Sequence, residues 1–203
     1  MNKLLLWFLK LLTSKSVGLN CGVDEAGRGS WAGPVVASAV SLPENYPLTG
    51  LNDSKKLKPE VRLELYYKIL KVAEVGVGIS TVEEIDQNNI LEATFLAMRR
   101  AVRSMVKTPQ KALIDGDKVP RDLLCPAEAI VKGDSKVDSI AAASIIAKVT
   151  RDNHMRLLAK IYPGYGWEKN FGYGVKYHFE ALKSKGVTPE HRCSFKPVHN
   201  MLC

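Results

Sequence analysis

The sequence predicts an α/β fold built on one central sheet. Short apolar runs of strand character alternate with longer segments of helical period over about 190 residues, the pattern of a sheet flanked by helices. Several of those runs stop at or shortly before an acidic residue. The composition, 46% apolar and 25% charged over 203 residues, is ordinary for a water-soluble chain. At this length roughly 70% of the extended surface can be buried, enough for one domain with a small appendage.

The elements follow in order. Residues 1–12 carry Leu4, Leu5, Phe8, Leu11 and Leu12 at helical spacing, which predicts a helix packing on the domain. Contact with a membrane surface and export are the competing readings. Six apolar residues run unbroken before Lys10, far short of the ~20 needed to span a bilayer, and no small-x-small cleavage site follows. Residues 14–20 read as a linker. The predicted domains are thus 1–16, an apolar extension, and 17–203, the folded body.

Residues 21–23 begin a strand that runs into Asp24, and residues 34–41 form a second. After a loop at 43–52, Pro59 opens a helix to about residue 74, with Val61, Leu65, Ile69 and Val72 on one face. Residues 75–80 alternate with glycine, a strand with close backbone packing. A helix is predicted over 88–106, ended by Pro109. Short strands at 111–114 and 129–131 precede Asp115 and Asp134. Asp138 suits an N-cap for a long helix to about 161, apolar nearly all round in its first half. Pro163-Gly164-Tyr165-Gly166 breaks it, and a last helix covers 175–184.

Charge and cysteine content narrow the partners. Lys plus Arg is 29 against 21 acidic residues, a net +8, which attracts polyanions and makes nucleic acid a candidate partner. Cys21, Cys125, Cys193 and Cys203 lie far apart, with no C-x-x-C pair and no zinc spacing. They read as free thiols, as in a reducing cytoplasm. No other stretch is apolar enough to span a membrane, so a cytoplasmic protein without a membrane partner is expected.

The carboxylates carry the chemistry. Asp24-Glu25 and Asp115 stand at strand ends, and Asp134 follows a third strand. Strand ends of α/β sheets are where residues distant in sequence converge on a site. Four carboxylates together repel unless a cation lies between them, and hard oxygen donors suit Mg²⁺ or Mn²⁺ rather than zinc. Any single strand-end aspartate is ordinarily a turn former or helix cap. Neighbours on a strand also face opposite sides, which argues against Asp24 and Glu25 sharing one site.

The motifs point further than the spacing does. Val23-Asp24-Glu25-Ala26-Gly27-Arg28-Gly29 is followed by Ala32-Gly33-Pro34-Val35-Val36, then Asp53-Ser54-Lys55-Lys56-Leu57, Ile114-Asp115-Gly116 and Lys132-Gly133-Asp134. The helix segment from Ile140 to Asp152, Gly172-Tyr173-Gly174 and His191-Arg192-Cys193-Ser194-Phe195 complete the series. In this order, from about residue 21 to 198, the set resembles ribonuclease HII of the bacterial type. One such motif would be weak; the ordered series is specific.

The resemblance implies a ribonuclease H-like fold, a central mixed sheet flanked by helices with a C-terminal helical segment. It implies an endonuclease cutting 5′ of a ribonucleotide in RNA–DNA hybrids or in duplex DNA with embedded ribonucleotides, for ribonucleotide removal from DNA. The metal-binding quartet carries over onto Asp24, Glu25, Asp115 and Asp134, holding two divalent ions, Mg²⁺ or Mn²⁺. Gly27, Arg28 and Gly29 match the segment that senses the 2′-hydroxyl. That group distinguishes RNA from DNA at one position. Tyr173 matches the tyrosine that stacks near the neighbouring sugar. Among the basic candidates Lys55, Lys56, Lys148, Arg151, Lys169, Lys176 and Lys196, the first three lie inside matched motifs and are taken as phosphate contacts.

Other residues are read more plainly. Asp117 falls outside the matched position, and Asp152 is expected to pair with Arg151 or Arg156 or to cap structure. His178 and His191 are expected to make structural hydrogen bonds. The chain departs from the family at Ser30-Trp31, where Pro-Leu is usual, and at Asn170-Phe171 and Val175, where a His-Lys-Gly-Tyr-Gly-Thr run is common. Both departures flank substrate-reading segments. About 20 residues before the first strand are too few for the extra N-terminal domain of ribonuclease HIII. A monomer is expected. A non-catalytic binder of hybrid duplexes is the runner-up, disfavoured because a binder gains nothing from four negative charges facing phosphates.

Overall fold

The computed structural model describes residues 20–202. The predicted N-terminal helix, its linker up to residue 19 and Cys203 lie outside the described residues. Five strands form one mixed sheet in the order β3-β2-β1-β4-β5. They are β1 (Asn20–Ala26), β2 (Val35–Ser41), β3 (Glu74–Ser80), β4 (Lys111–Asp115) and β5 (Ala127–Ile130). The first three run antiparallel, pairing Gly22 with Val40 and Val36 with Ile79. β4 and β5 add in parallel, with Val23 beside Ile114 and Ile114 beside Ala129.

Three helices cover the sheet and one another: α1 (Pro59–Val72), α2 (Val82–Arg103) and α3 (Asp138–Ile161). α2 lies on one face, where Ile85, Ala93, Ala97, Met98 and Val102 pack on Cys21, Val23, Ala37 and Ile114. α3 lies on the other, and its Ala142, Ile145, Ile146 and Val149 meet Val40 of β2 and Leu65 and Ile69 of α1. Period-2 alternation divides β1 between these cores. Gly22, whose successor on that face is Asp24, lets α3 approach so closely that a Cβ there would come within 2.2 Å of Ile140 N. The short helices α4 (Trp167–Asn170), α5 (Lys176–Lys185) and α6 (Lys196–His199) close a third core around Met155, Trp167, Leu182 and Val198.

Several boundaries differ from the sequence expectation. α2 starts six residues before predicted residue 88, at Val82, because Thr81 and Glu84 form a reciprocal capping box. It kinks at Asn89, whose φ of 68° is left-handed and whose side chain recaps the helix by accepting from Leu91 and Glu92 N–H. It ends at Arg103, leaving Val106 exposed. Asp138 lies in the first turn of α3 and Val137 occupies the cap. β5 sits at Ala127–Ile130 rather than 129–131, and Val61 points outward while Leu65 and Ile69 are buried. α4 and α6, each four residues long, were too short to show a helical period. Among the described residues no helix is long and apolar enough to cross a membrane, and Cys21, Cys125 and Cys193 are free thiols.

Candidate active site

Three aspartates meet where the pairing of β1 with β4 ends. Asp24 and Asp115 each stand one residue past the last paired couple, Val23 and Ile114, on the face toward α3. Lys132 turns the chain after β5 with a left-handed φ of 56°, and the 3₁₀ turn Gly133–Ser135 then brings in Asp134. Asp115 Oδ1 fixes that turn by accepting from Gly133 N–H at 2.7 Å. One carboxylate oxygen from each of Asp24, Asp115 and Asp134 lies within 4.8 Å of the others.

Glu25 stands beside this cluster rather than in it. Strand alternation turns it toward α2, where it lines a groove of about 200 Å³ with Thr94, Phe95, Asp115 and Asp117. Its Oε1 pairs with Arg28 Nη1 at 3.3 Å. The structure therefore brings together three of the four expected ligands, with Glu25 next door. Its backbone N–H donates to Asp24 Oδ1 at 2.7 Å.

The electrostatics of the cluster suit a bound cation. Burial pushes the Asp24 carboxyl well above the ordinary range, and the charges of Glu25 and Asp115 push it further. Burial and then Asp115 raise Asp134 as well. Glu25 is raised by burial against the opposing pull of Arg28. Like charges this close, one buried and two half-buried, are relieved by a proton or by a positive partner. The donors are all carboxylate oxygens, which fits Mg²⁺ or Mn²⁺ and does not fit zinc.

A second groove, about 410 Å³, opens on the other side of Glu25. It is lined by Gly27, Arg28, Gly29, Lys55, Lys148 and Tyr173, among others. Six of the seven expected substrate-binding residues thus share one cavity wall; the seventh, Lys56, is exposed and pairs loosely with Asp53 at 3.9 Å. Lys148 is held at 2.8 Å by buried Asp152, which also lies 4.0 Å from Arg62. Its ammonium sits over the rings of Phe171 at 4.8 Å and Tyr173 at 5.7 Å. Asp152 therefore pairs with Lys148 rather than with Arg151 or Arg156, whose guanidiniums donate instead to the carbonyls of Pro34, Phe171 and Ala32 and to Asn153 Oδ1.

Two buried guanidiniums join the loops that build this wall. Arg151 donates to the carbonyls of Pro34 (2.9 Å), Phe171 (2.9 Å) and Ala32 (3.0 Å). Arg192 donates to Gly33 through Nε and Nη2 (3.0 and 2.8 Å) and to Arg28 (2.9 Å). Burial lowers the Arg192 guanidinium to about 9. Gly27 has φ 97°, and a Cβ there would strike Arg151 Nε. Arg151 thus faces the loops, not a phosphate, contrary to its place among the basic candidates. These two arginines were missed as site builders because a charge in a sequence normally reads as surface. Both lie inside matched motifs, the one signal that the sequence offered.

The departures also have places. Ser30 is fully buried, and Trp31 packs its ring where a Cβ on Gly174 would go. Trp31 N–H donates to Gly172 O at 2.8 Å, joining the glycine loop to the Tyr173 turn. Asn170 scaffolds that turn, accepting from Gly172 N–H and donating to Tyr165 O, both at 2.8 Å.

A mixed sheet with three aspartates clustered where β1 and β4 part, beside a groove walled by glycine backbone and lysines, defines a metal-dependent nuclease of ribonuclease H-like architecture. Comparison with known proteins narrows the class. The ribonuclease HII family model matches residues 21–198. A ribonuclease HII from a Jannaschia species is 55% identical over 186 residues, covering 92% of this chain and 94% of the relative. The ribonuclease H2 structure from Pyrococcus horikoshii superposes with TM-score 0.75 at 29% identity, covering 90% of this chain and 96% of that one. The RNase HII from Archaeoglobus fulgidus, solved in a complex with PCNA, gives 0.72 at 29%, covering 88% and 95%. The chain belongs to the ribonuclease HII family and is a metal-dependent endonuclease of the type II ribonuclease H kind.

Proposed function

We propose that the enzyme hydrolyses the phosphodiester on the 5′ side of a ribonucleotide, in RNA–DNA hybrids or in DNA duplexes with embedded ribonucleotides, leaving 3′-hydroxyl and 5′-phosphate ends. Its role would be removal of ribonucleotides from DNA. The observation that carries this reading is the shared wall. Glu25 lines both the groove that holds Asp115 and the groove walled by Gly27, Arg28, Gly29 and Tyr173. A ribose read in the second groove would present its 5′ phosphate to the carboxylates.

Each residue has a part. Asp24, Asp115 and Asp134 would hold the divalent ions, with Glu25 completing the set from the α2 side. Two Mg²⁺ or Mn²⁺ ions, when bound, supply an activated water and neutralise the leaving oxygen. Gly27 and Gly29 offer bare backbone to the 2′-hydroxyl, a group that both donates and accepts. Tyr173 offers a ring to the adjacent sugar. Lys55, Lys56 and Lys148 meet phosphates and set the register of the duplex without reading sequence.

The test is a labelled duplex with a single ribonucleotide, beside an all-DNA duplex and one carrying a 2′-O-methyl residue at that position. One cut 5′ of the ribonucleotide and none in the other two is expected. Comparable cutting of all-DNA would contradict ribose reading. Binding without cleavage in any metal would favour a non-catalytic hybrid binder.

A further inference from the structure

The Tyr173 turn is backed by a hydrogen-bond chain that the proposed chemistry does not use. His191 Nδ1 lies 3.0 Å from Thr188 N and 2.9 Å from its Oγ1. His191 Nε2 lies 3.0 Å from His178 Nε2, which in turn lies 3.1 Å from Trp167 Nε1. His178 Nδ1 lies 3.0 Å from the Tyr173 carbonyl. Both imidazoles and the indole are 1% exposed or less.

Three fixed ends leave one assignment of protons. The Thr188 amide can only donate, so His191 Nδ1 accepts and its proton sits on Nε2. The Trp167 indole can only donate, so His178 Nε2 is unprotonated and its one lone pair is shared between the indole N–H and His191 Nε2–H. The Tyr173 carbonyl can only accept, so His178 donates from Nδ1–H. A second proton on either ring would set N–H against N–H. Burial lowers both rings, His191 to about 4, and the nearest rings are Trp31, Tyr165 and Trp167 rather than carboxylates.

We propose that His178 and His191 are positioning residues for ribose recognition: a neutral, proton-ordered pair that fixes the Tyr173 turn through its carbonyl. The inference rests on Tyr173 reading the sugar. The same carbonyl accepts from Val175 N–H at 2.9 Å, so the turn is held from the helix start and from the buried pair together. The turn carries no metal ligand, so its displacement should act on substrate binding more than on the chemical step.

Two measurements test it. In ¹⁵N-edited NMR of the full chain at neutral pH, His178 is expected as the Nδ1–H tautomer and His191 as the Nε2–H tautomer, both neutral; a reversed tautomer or a charged ring at either position overturns the proposal. In single-ribonucleotide cleavage, His178→Phe should lower kcat/KM about tenfold, chiefly through KM, as expected when the one hydrogen bond from the pair to the Tyr173 turn is lost. His178→Asn, which keeps an N–H near the Nδ1 position, should recover part of this. In a Tyr173→Ala background the same His178→Phe change should cost less than about twofold. An equal loss in both backgrounds, or a loss confined to kcat, overturns the positioning role. If Tyr173→Ala alone leaves kcat/KM unchanged, the sugar-reading assignment fails, while the tautomers still judge the hydrogen-bond chain by itself.

Discussion

Asp115 Oδ1 accepts a hydrogen bond from the N–H of Gly133 at 2.7 Å, so the end of β4 holds the turn that delivers Asp134. One side chain thus has two functions, a structural acceptor and a negative charge. Asp115→Asn keeps the acceptor and removes the charge. Cleavage should fall by about 10²-fold or more with the fold retained, measured by kcat/KM beside circular dichroism. Asp115→Ala should also lower the melting temperature, because the Gly133 amide loses its partner.

The raised carboxyl of Asp24 predicts a pH signature. The metal-free folded state holds this proton to higher pH than the unfolded chain. Stability from this group is therefore present below the ordinary aspartate value, about 4, and falls as pH rises through the raised one. His178 and His191, lowered by burial, act in the opposite sense: their contribution grows with pH from about 4, for His191, toward the ordinary histidine value. The clean readout is the difference between wild type and Asp24→Asn. In EDTA the variant's advantage in melting temperature should widen from about pH 5 to pH 8. Saturating Mg²⁺ should cancel it.

Glycine chemistry separates two positions in one loop. Gly27→Ala meets both a φ of 97° and Arg151 Nε at 1.9 Å. It should cost about 2–4 kcal/mol in urea unfolding, with cleavage nearly lost. Gly29 has open space, its nearest neighbour being Tyr173 at 4.0 Å. Gly29→Ala should leave stability within about 1 kcal/mol and show its effect on cleavage of the ribonucleotide duplex.

Arg192→Met would leave the carbonyls of Arg28 and Gly33 without their donors. A loss of about 2–4 kcal/mol is expected, together with a raised KM, because the glycine loop loses its rear support. Arg192→Lys should recover little, since one ammonium cannot reproduce the fork.

Lys148, fixed by Asp152, should behave as a phosphate contact. Lys148→Gln should weaken binding of every duplex about equally and reduce the slope of log affinity against log salt by roughly one. An unchanged slope would assign Lys148 to holding Phe171 and Tyr173 instead.

Much of this fold was legible because its elements are locally consistent. β2 and the first half of α3 are apolar in the lengths expected of a buried strand and helix, and Cys21-Gly22-Val23 opens β1 as a short apolar run ahead of Asp24. Alternation also foretold that Glu25 would face away from Asp24, and it does. Helix starts were harder: the Thr81–Glu84 box lies in the sequence, but Asn89 breaks the period beyond it. The convergence of Asp24, Asp115 and Asp134 could not be read from spacing, because it depends on β4 inserting in parallel beside β1. Family resemblance supplied it. The interior roles of Arg151, Arg192 and Asp152 were illegible, since charge in a sequence normally means surface and only tertiary carbonyls and a neighbouring lysine make burial tolerable.

The central claim is that the aspartate cluster works through divalent cations at a ribonucleotide. The direct test is cleavage of a single-ribonucleotide duplex by wild type and by Asp134→Ala, each in Mg²⁺, Mn²⁺ and EDTA. Wild type should cut in either metal and stop in EDTA, and the variant should be slowed by about 10²-fold or more. Cleavage that persists in EDTA, or at wild-type rate in the variant, would contradict the account.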